Sequence, residues 1–388
     1  GLVVDSEKGL VLVDRETVPV PMGDLQLTFG SSVEIPGEIV YLHPEHNFSI
    51  IAYDPVLLGQ TAVHSAELRP EVITVGDEVW LVGLTPTGNL VSRRTQVAGR
   101  EPLRLSLPRP PRFRDRNIEL ITVEDAVPTL GGVLADAGGN AVALWASFSE
   151  GSGKGGKSFF AGIPVEHFVG IIDALKNGKS VGWRTLGVEF VPLSLAVARN
   201  RGLSDARAKT LEAHDSERRR VLGVERITSG GPASTRLREG DLVLEINGST
   251  VTRFREVEIA AQEDLVDLLV LRDGEEIQVQ VATELLDGRG TERTVLWAGT
   301  LLQAPHRALA EQRGLPQEGV YVARSWFGSP ADRYGLGATD RIVALDGRPT
   351  PDLDHFLAAA ANQKDRGPVR LKVVNLDWDP PLFPLYNG

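Results

Sequence analysis

The chain has no cysteine among its 388 residues and only one methionine. The absence of cysteine excludes disulfide bonds, thiolate metal ligands and a cysteine nucleophile. No apolar run approaches the roughly 20 residues that a membrane-spanning helix requires, so the sequence predicts no membrane span. Basic residues number 41 against 52 acidic ones, and the resulting net charge of −11 argues against nucleic acid as a partner.

The overall composition, 42% hydrophobic and 24% charged, is that of ordinary folded domains, so cores of normal size are expected. At roughly 100–200 residues per domain, the length predicts about two to four domains. The first residues, Gly-Leu-Val-Val-Asp, resemble neither a signal peptide nor a natural initiator, which predicts a fragment of a longer sequence.

Residues 1–148 alternate short apolar runs with turns rich in glycine, proline and aspartate. Many short strands with few helical stretches are typical of an all-β barrel or sandwich. A helix is then predicted over 165–176, where apolar residues recur at helical spacing before the stop signal Asn177-Gly178. The predicted strands cover 11–13, 25–29, 39–42, 49–53, 78–82 and 142–148.

An internal repeat follows this region. Residues 230–248 are GGPASTRLREGDLVLEING, and residues 328–347 are GSPADRYGLGATDRIVALDG. Each copy ends in an aspartate, an apolar strand and an Asn-Gly or Asp-Gly pair, which is a strong signal for a hairpin turn. A period of about 100 residues predicts two similar small domains rather than a solenoid. A polar helix is predicted early in the first copy, over 205–220.

A glycine-rich stretch at 151–158, Gly-Ser-Gly-Lys-Gly-Gly-Lys-Ser, matches the phosphate-binding pattern G-x-x-x-x-G-K-[ST]. A nucleotide site of that kind needs a helix immediately afterwards, with its N-terminus facing the phosphates. Residues 159–164 instead predict a strand, with glycine and proline where the helix interior would be. We therefore interpret the stretch as a flexible hairpin loop and expect no cofactor.

The repeated segments resemble the PDZ domain as it occurs in Deg/HtrA serine proteases. Residues 184–188, Arg-Thr-Leu-Gly-Val, resemble its carboxylate-binding loop, and residues 295–306 resemble the start of a second PDZ domain. Residues 162–165, Gly-Ile-Pro-Val, followed by a helix, are similar to the end of the HtrA protease domain. Residues 128–134, Pro-Thr-Leu-Gly-Gly-Val-Leu, lie where a trypsin-like protease carries Gly-Asn-Ser-Gly-Gly-Pro-Leu. The resemblance is closest to the C-terminal, degenerate-protease half of double-length Deg/HtrA proteins.

This resemblance implies a mainly β chain. A trypsin-like double β-barrel is followed by two PDZ domains, which are α+β and built on small, partly open barrels. The implied boundaries are 1–178 for a degenerate protease domain that lacks its first strand, 179–286 for the first PDZ domain, 290–378 for the second PDZ domain and 379–388 for a C-terminal tail.

The same resemblance locates the catalytic slots of the protease, and none holds its catalytic residue. The histidine slot falls on Glu16 or Thr17, the aspartate slot on Asn47 and the serine slot on Leu130. One oxyanion donor belongs at the slot of Pro128, and proline has no backbone N–H. Because serine hydrolysis needs a nucleophile, a base and an orienting carboxylate together, we expect no enzyme activity from this chain.

Other histidines and serines of the barrel region leave open a rearranged catalytic site. His43 and His46 flank Pro44 in a predicted loop, where a metal would need at least one further ligand. The favoured interpretation is solvated loop histidines and no metal. The other candidates for a rearranged site are His64, Ser49, Ser65, Ser106 and Ser147.

Residues 100–116 contain six arginines and four prolines. The favoured interpretation is a solvated loop stiffened by proline. The alternative is a docking surface for a neighbouring protease unit or PDZ domain, since the rest of the acidic chain offers complementary charge.

A PDZ domain binds an extended peptide as an added strand at a sheet edge, and a loop glycine lets backbone N–H groups approach the terminal carboxylate. In the second domain, Trp-Ala-Gly-Thr departs from the usual apolar-Gly-apolar loop. The alternative is that some of the matching residues are plain core residues. The implied peptide-binding residues are Arg184, Leu186, Gly187, Val188 and Phe190 in the first domain, and Trp297, Ala298, Gly299, Thr300, Leu301 and Phe356 in the second.

The resemblance implies a pseudoprotease and PDZ module of an HtrA-type protein quality-control serine protease, which binds peptide segments or unfolded protein and assembles or regulates an active protease unit. The alternatives are an active serine endopeptidase with a rearranged site and a pure oligomerisation scaffold with closed PDZ grooves. Expected partners are unfolded or C-terminal peptide segments, an active HtrA-type protease unit and further copies of the chain. The compartment stays unknown, with the bacterial periplasm or cell envelope favoured over chloroplast or nucleus.

Overall fold

The computed structural model describes residues 1–71, 73–150, 157–364 and 367–376. The chain divides into two compact units, and each is described by itself. The first consists of residues 1–108, 113–227 and 231–290, and the second of residues 109–112, 228–230 and 291 onward. The predicted flexible loop at 151–156 lies outside the described residues.

The first sheet is built from five short antiparallel strands in the order β1-β2-β5-β4-β3. Its fully buried residues Leu12, Phe48 and Ile50 belong to the same apolar core as Leu144 and Phe148 of the following barrel. The four strands predicted for this part of the chain are confirmed. The strands are β1 Leu2–Asp5, β2 Leu10–Val13, β3 Leu25–Phe29, β4 Val33–Leu42 and β5 Ser49–Tyr53.

The second sheet closes into a six-stranded barrel in the order β10-β11-β8-β7-β6-β9. Closure pairs both edges of every strand, and Leu81, Leu134 and Trp145 fill part of the interior. The strand predicted after the glycine-rich stretch is present as β11. The strands are β6 Glu78–Leu84, β7 Leu90–Pro102, β8 Glu119–Val123, β9 Gly132–Ala135, β10 Ala141–Glu150 and β11 Lys157–Pro164.

The helix predicted over 165–176 is present but begins later. A 3-10 turn at Val165–His167 comes first, and α1 follows at Val169–Lys176. Phe168 separates the two with a non-helical φ of −124°. The backbone N–H of Asn177 caps the end of the helix, as its stop signal predicts.

The predicted first PDZ domain is a five-stranded path, β13-β14-β15-β17-β18, with β16 paired to β15 and β12 paired to β19. The polar helix predicted over 205–220 ends early, because its last residue is His214 and Arg220 already begins a strand. The elements are β12 Trp183–Thr185, β13 Val188–Ser194, α2 Leu195–Asn200, α3 Asp205–His214, β14 Arg220–Ile227, β15 Leu242–Ile246, β16 Ser249–Thr250, α4 Phe254–Ala260, β17 Leu265–Arg272, β18 Glu275–Ala282 and β19 Glu284–Leu286.

The second unit repeats this plan with one more strand at the start, in the order β20-β21-β22-β23-β24, and β25 pairs with β23. The side chain of Asp352 caps α7 by accepting the N–H of His355 at 2.9 Å. The elements are β20 Thr294–Trp297, β21 Thr300–Gln303, α5 Ala308–Arg313, β22 Val320–Ser325, α6 Pro330–Arg333, β23 Arg341–Leu345, β24 Arg348–Pro349, α7 Leu353–Ala361 and β25 Leu371–Val374.

The hairpin turns predicted in the two repeat copies are both present. Asn247 and Gly248 connect β15 to β16, and Asp346 and Gly347 connect β23 to β24. All four residues have φ between 46° and 80°, the left-handed region that this kind of two-residue turn demands. Across the described residues, no helix has the length and apolar character needed to cross a bilayer.

Candidate functional site

The predicted aspartate slot is held by a fully bonded, buried amide. The Oδ1 of Asn47 accepts the N–H of Arg15 at 2.8 Å, and its Nδ2 donates to the carbonyl of Ser147 at 2.6 Å. Its own N–H donates to Asp115 at 2.8 Å. A neutral amide with these partners fixes the loops around it and offers no charge to stabilise an imidazolium.

The two residues at the predicted histidine slot bond to their neighbours. The Thr17 hydroxyl and N–H both donate to Asp14, at 2.6 and 2.7 Å. The carboxylate of Glu16 accepts the hydroxyl of Ser149 at 2.9 Å. Neither side chain is an imidazole that exchanges a proton near neutral pH.

The predicted serine slot exposes a leucine and offers no free oxyanion donor. The Leu130 side chain is 63% exposed, and its backbone N–H donates to the carbonyl of Leu84 at 2.8 Å. Pro128 supplies no N–H at the other oxyanion position. A Cβ on Gly132 would come within 2.2 Å of the Val82 carbonyl, so this glycine is needed for strand packing.

The prediction that His43 and His46 are solvated is wrong. Their exposed fractions are 0% and 1%, because the segment that leads into the first PDZ domain covers the loop. The ring of His43 lies 4.5 Å from both Phe48 and Trp183, and its Nδ1 accepts the N–H of His46 at 2.8 Å. Burial lowers the pKa of His43 well below its ordinary value, assisted by His46. His64 is exposed.

Three of the four candidate serines bond to groups other than histidine in the described chain. Ser49 donates to the carbonyl of Val18 at 3.5 Å, Ser147 donates to Asp14 at 3.0 Å, and Ser65 bonds to the hydroxyl of Ser6 at 3.1 Å. A nucleophilic serine needs a base within hydrogen-bonding distance, and these contacts supply none.

Glu45 lies at the centre of a buried polar cluster that joins the barrels to the first PDZ domain. Its carboxylate accepts hydrogen bonds from Arg116 at 2.5 Å, Thr185 at 2.8 Å and Trp183 at 3.0 Å. Burial by itself would raise the pKa of Glu45, but Arg116 outweighs it and holds the pKa below its usual value. Thr185 and Trp183 would lose this buried acceptor if the two domains separated.

A second buried cluster gathers around Glu258 on α4. Its carboxylate contacts His46 Nε2 and Arg255, and His167 Nδ1 lies 3.2 Å away. Burial favours a raised pKa for Glu258, but His167 and His46 outweigh it and hold the pKa well below its usual value. The two imidazoles and the carboxylate offer ligand atoms within 4.8 Å of one another, a set that zinc accepts. The Arg255 guanidinium pairs with the same Glu258 carboxylate, so the charge of that ligand group is already offset within the chain.

The predicted carboxylate-binding loop of the first PDZ domain is bonded within the chain. Gly187 has a φ of 67°, and its N–H donates to the Thr185 hydroxyl at 3.0 Å. Leu186 and Val188 are buried in the domain core, and the Arg184 guanidinium donates to Thr283 at 3.1 Å. The peptide-binding role of these residues stays a prediction.

A barrel side chain covers the edge of β13. The Nδ2 of Asn117 donates to the carbonyl of Val188 at 2.7 Å, and its Oδ1 accepts the N–H of Phe190 at 2.8 Å. Because β13 ends its sheet, a peptide added there would use these edge groups. Sequence reasoning missed Asn117. Its one local signal is the tolerance of asparagine for a left-handed backbone, here with φ of 52°, which is too common to identify a site.

The favoured interpretation of residues 100–116 as a solvated loop is wrong for Arg114 and Arg116, whose side chains are buried. Arg114 is 7% exposed and donates to Glu189 of β13 at 2.5 Å. Arg104 donates to Glu225 of β14 at 3.1 Å. The alternative, a docking surface for a PDZ domain, describes these contacts better, and the PDZ domain belongs to the same chain.

In the second unit, the predicted carboxylate-binding loop is a hairpin turn. Trp297 pairs with Thr300, and the intervening Ala298 and Gly299 have φ of 49° and 80°. This places β20 along the edge of β21, and Leu301 pairs with Leu296 of β20. Trp297 packs edge-on against Phe356 of α7, with ring centroids 5.3 Å apart. The groove edge is thus occupied by the preceding strand of the same domain.

Comparison with known proteins agrees with this architecture. The PDZ domain family matches residues 202–265. Protease Do-like 7 of Arabidopsis thaliana is 35% identical, over 99% of this chain and 38% of its own length. Pro-apoptotic serine protease NMA111 of Coccidioides immitis is 31% identical, over 97% of this chain and 37% of its own length. The chain belongs to the Deg/HtrA family.

The family's fold is also evident in solved structures. The HtrA-type protease AlgW with a decapeptide superposes with a TM-score of 0.51 at 19% identity, covering 73% of this chain and 81% of AlgW. The Deg/HtrA chain is therefore mainly β, with the HtrA protease fold and a PDZ domain. It spans well under half the length of the curated relatives it matches.

Proposed function

We propose that this chain is the non-hydrolytic module of a longer HtrA-type serine endopeptidase that acts in protein quality control. The observation that carries the proposal is the serine slot, where Leu130 replaces the nucleophile and its N–H is bonded to Leu84. Pro128 removes the second oxyanion donor, and the loss of one donor alone typically costs about 10²–10³ in rate. The relatives named as proteases support an active unit elsewhere in the parent protein.

The module's role in this proposal is to assemble or regulate that active unit through its PDZ domains. The buried clusters around Glu45 and Glu258 hold the barrels and the first PDZ domain together as one body, which suits a part that transmits or restrains movement. Peptide or unfolded-protein binding is supported by the PDZ match and by AlgW, which was solved with a decapeptide.

A pure oligomerisation scaffold is the second candidate, and one observation favours it. The edge that would receive a peptide is covered in both PDZ domains, by Asn117 in the first and by β20 in the second. A scaffold keeps these edges closed, whereas a binder opens at least one. Titration of the full chain with synthetic peptides separates the two, because only a binder takes up a peptide.

Degradation of casein by the purified chain tests the absence of hydrolysis. An active HtrA protease serves as the positive control, and a serine-protease inhibitor is added in parallel. We expect the casein band to persist with this chain and to disappear with the control. Inhibitor-sensitive cleavage that survives repurification of the chain would overturn the proposal and favour a rearranged active site.

A further inference from the structure

We propose that the covered edge of the first PDZ domain is a binding site for basic extended segments, and that the chain's own residues 103–108 and 113–117 fill it. The inference rests on the proposed function of the PDZ domains as binding modules. It adds the chemical class of the ligand and names the segment that competes with it.

The Asn117 side chain imitates a ligand backbone. Its primary amide gives one donor and one acceptor to β13, at the Val188 carbonyl and the Phe190 N–H. A peptide strand added to this edge would satisfy the same two groups with its own backbone amides. A peptide and Asn117 therefore cannot bind the edge at the same time.

Acidic side chains lie beside the edge. Glu189 on β13 accepts Arg114 at 2.5 Å and Arg226 at 3.4 Å, and Glu225 on β14 accepts Arg104 at 3.1 Å. A ligand that displaces the resident segment removes Arg114 and Arg104 from these carboxylates and leaves Glu189 with the longer Arg226 contact alone. A ligand that brings its own arginine or lysine residues restores the lost ion pairs and is therefore favoured.

The resident segment leaves part of the site unfilled. A cavity of about 220 Å³ opens between the segment at Leu105 and Leu107 and the PDZ domain at Phe190 and Phe254. Its lining also includes the charged side chain of Glu189. A competing segment therefore has room to place a longer side chain there than the resident one does.

Fluorescence anisotropy with a labelled synthetic peptide tests the proposal on the full chain. The probe has the sequence of residues 103–117, and a second probe carries glutamine at each arginine. The Asn117→Gly variant removes the competing amide, and glycine accepts the left-handed backbone without strain. In the wild type a peptide must first displace the two hydrogen bonds of Asn117, which are worth about 1 kcal/mol each. Their removal in the variant should therefore raise the affinity for the peptide tenfold or more.

Asn247→Gly is the matched control. Asn247 also has a left-handed φ, and its side-chain oxygen accepts the backbone N–H of Asp267, but it lies away from the β13 edge. Asn117→Asp is a second test variant, since its carboxylate cannot donate to the Val188 carbonyl. We expect both Asn117 variants to bind the arginine probe more tightly than the wild type and Asn247→Gly do. The glutamine probe should bind at least tenfold more weakly than the arginine probe, and added salt should lower the affinity of the arginine probe.

Equal affinity of the arginine probe for the wild type and both Asn117 variants would overturn the inference. Equal binding of the two probes would overturn the basic preference. If a neutral peptide with an apolar C-terminus binds the variants while the arginine probe does not, the PDZ binding function survives and only this inference fails. If no peptide binds any variant, both fail and the scaffold is left.

Discussion

At the scale of single residues, the barrel loop at residues 43–47 concentrates buried charge. Asp115 accepts the N–H of Asn47 and lies 3.8 Å from His46. Burial raises the pKa of Asp115 to about 7, although His46 and the Asn47 N–H act to lower it. The folded state therefore keeps a proton that the unfolded chain releases near pH 4, and stability from this residue is lost as the pH rises through about 7.

The Asp115→Asn variant should gain stability relative to the wild type as the pH rises from about 6 to about 8. Asparagine keeps an oxygen for the Asn47 N–H and has no charge to desolvate. The difference in unfolding free energy should change by about 1.4 kcal/mol across this window. Urea denaturation at both pH values measures it, with the exposed Asp24→Asn as the matched control. A difference that does not vary with pH would contradict the effect of burial.

At the scale of elements, the second unit depends on the β20–β21 hairpin. Gly299 has a φ of 80°, and an added Cβ would come within 2.2 Å of Ser329. Gly347, in the β23–β24 hairpin, has the same φ of 80° but nothing within 4 Å of that position. An alanine would therefore suffer the same backbone strain at both positions, but it would clash with a neighbouring side chain only at position 299.

Gly299→Ala should therefore destabilise the second unit more than Gly347→Ala does. The left-handed alanine costs about 1–2 kcal/mol at either position, and the clash adds roughly 1–3 kcal/mol at Gly299 alone. Urea denaturation of both variants gives the two losses in unfolding free energy. Equal losses would show that Ser329 moves aside easily and that the hairpin does not depend on this close contact.

Most elements were predictable because their signals are local. The turns at Asn247-Gly248 and Asp346-Gly347 carry residues that tolerate a left-handed backbone, and they are hairpins as predicted. The turn at 297–300 was not predicted, because Ala298 adopts a left-handed φ that its residue type does not signal. The late start of α1 was missed for a similar reason, since no glycine or proline marks the break at Phe168.

The candidate site was predictable only in part, because its main contacts join distant parts of the chain. His46 and Glu258 are 212 residues apart in sequence, and no local pattern indicates that they meet. Asn117 and Phe190 are 73 residues apart, and their contact depends on how the barrel packs against the PDZ domain. Local composition therefore suggested solvated loops at 43–46 and 100–116, where tertiary packing buries His43 and His46 of the first and Asp115 and Arg116 of the second.

At the scale of the whole molecule, hydrolysis in this fold is a collective property of both sheets. The slots at residues 16, 17 and 47 lie in the loops that follow β2 and precede β5 of the first sheet, whereas Leu130 precedes β9 of the closed barrel. Restoring one group leaves the others absent, and each member of a triad contributes little without its partners. We therefore infer that the whole site is non-functional, beyond the loss of a serine.

Covalent labelling by a fluorophosphonate probe tests this claim most directly, in the wild type and in Leu130→Ser. The probe marks only serines that a base activates, and an active HtrA protease is the positive control. We predict no labelling of either form, because the variant's serine still lacks a histidine, an aspartate and the oxyanion donor at Pro128. Labelling of Leu130→Ser at residue 130 would contradict the account, since it would show that an activating site persists around the leucine.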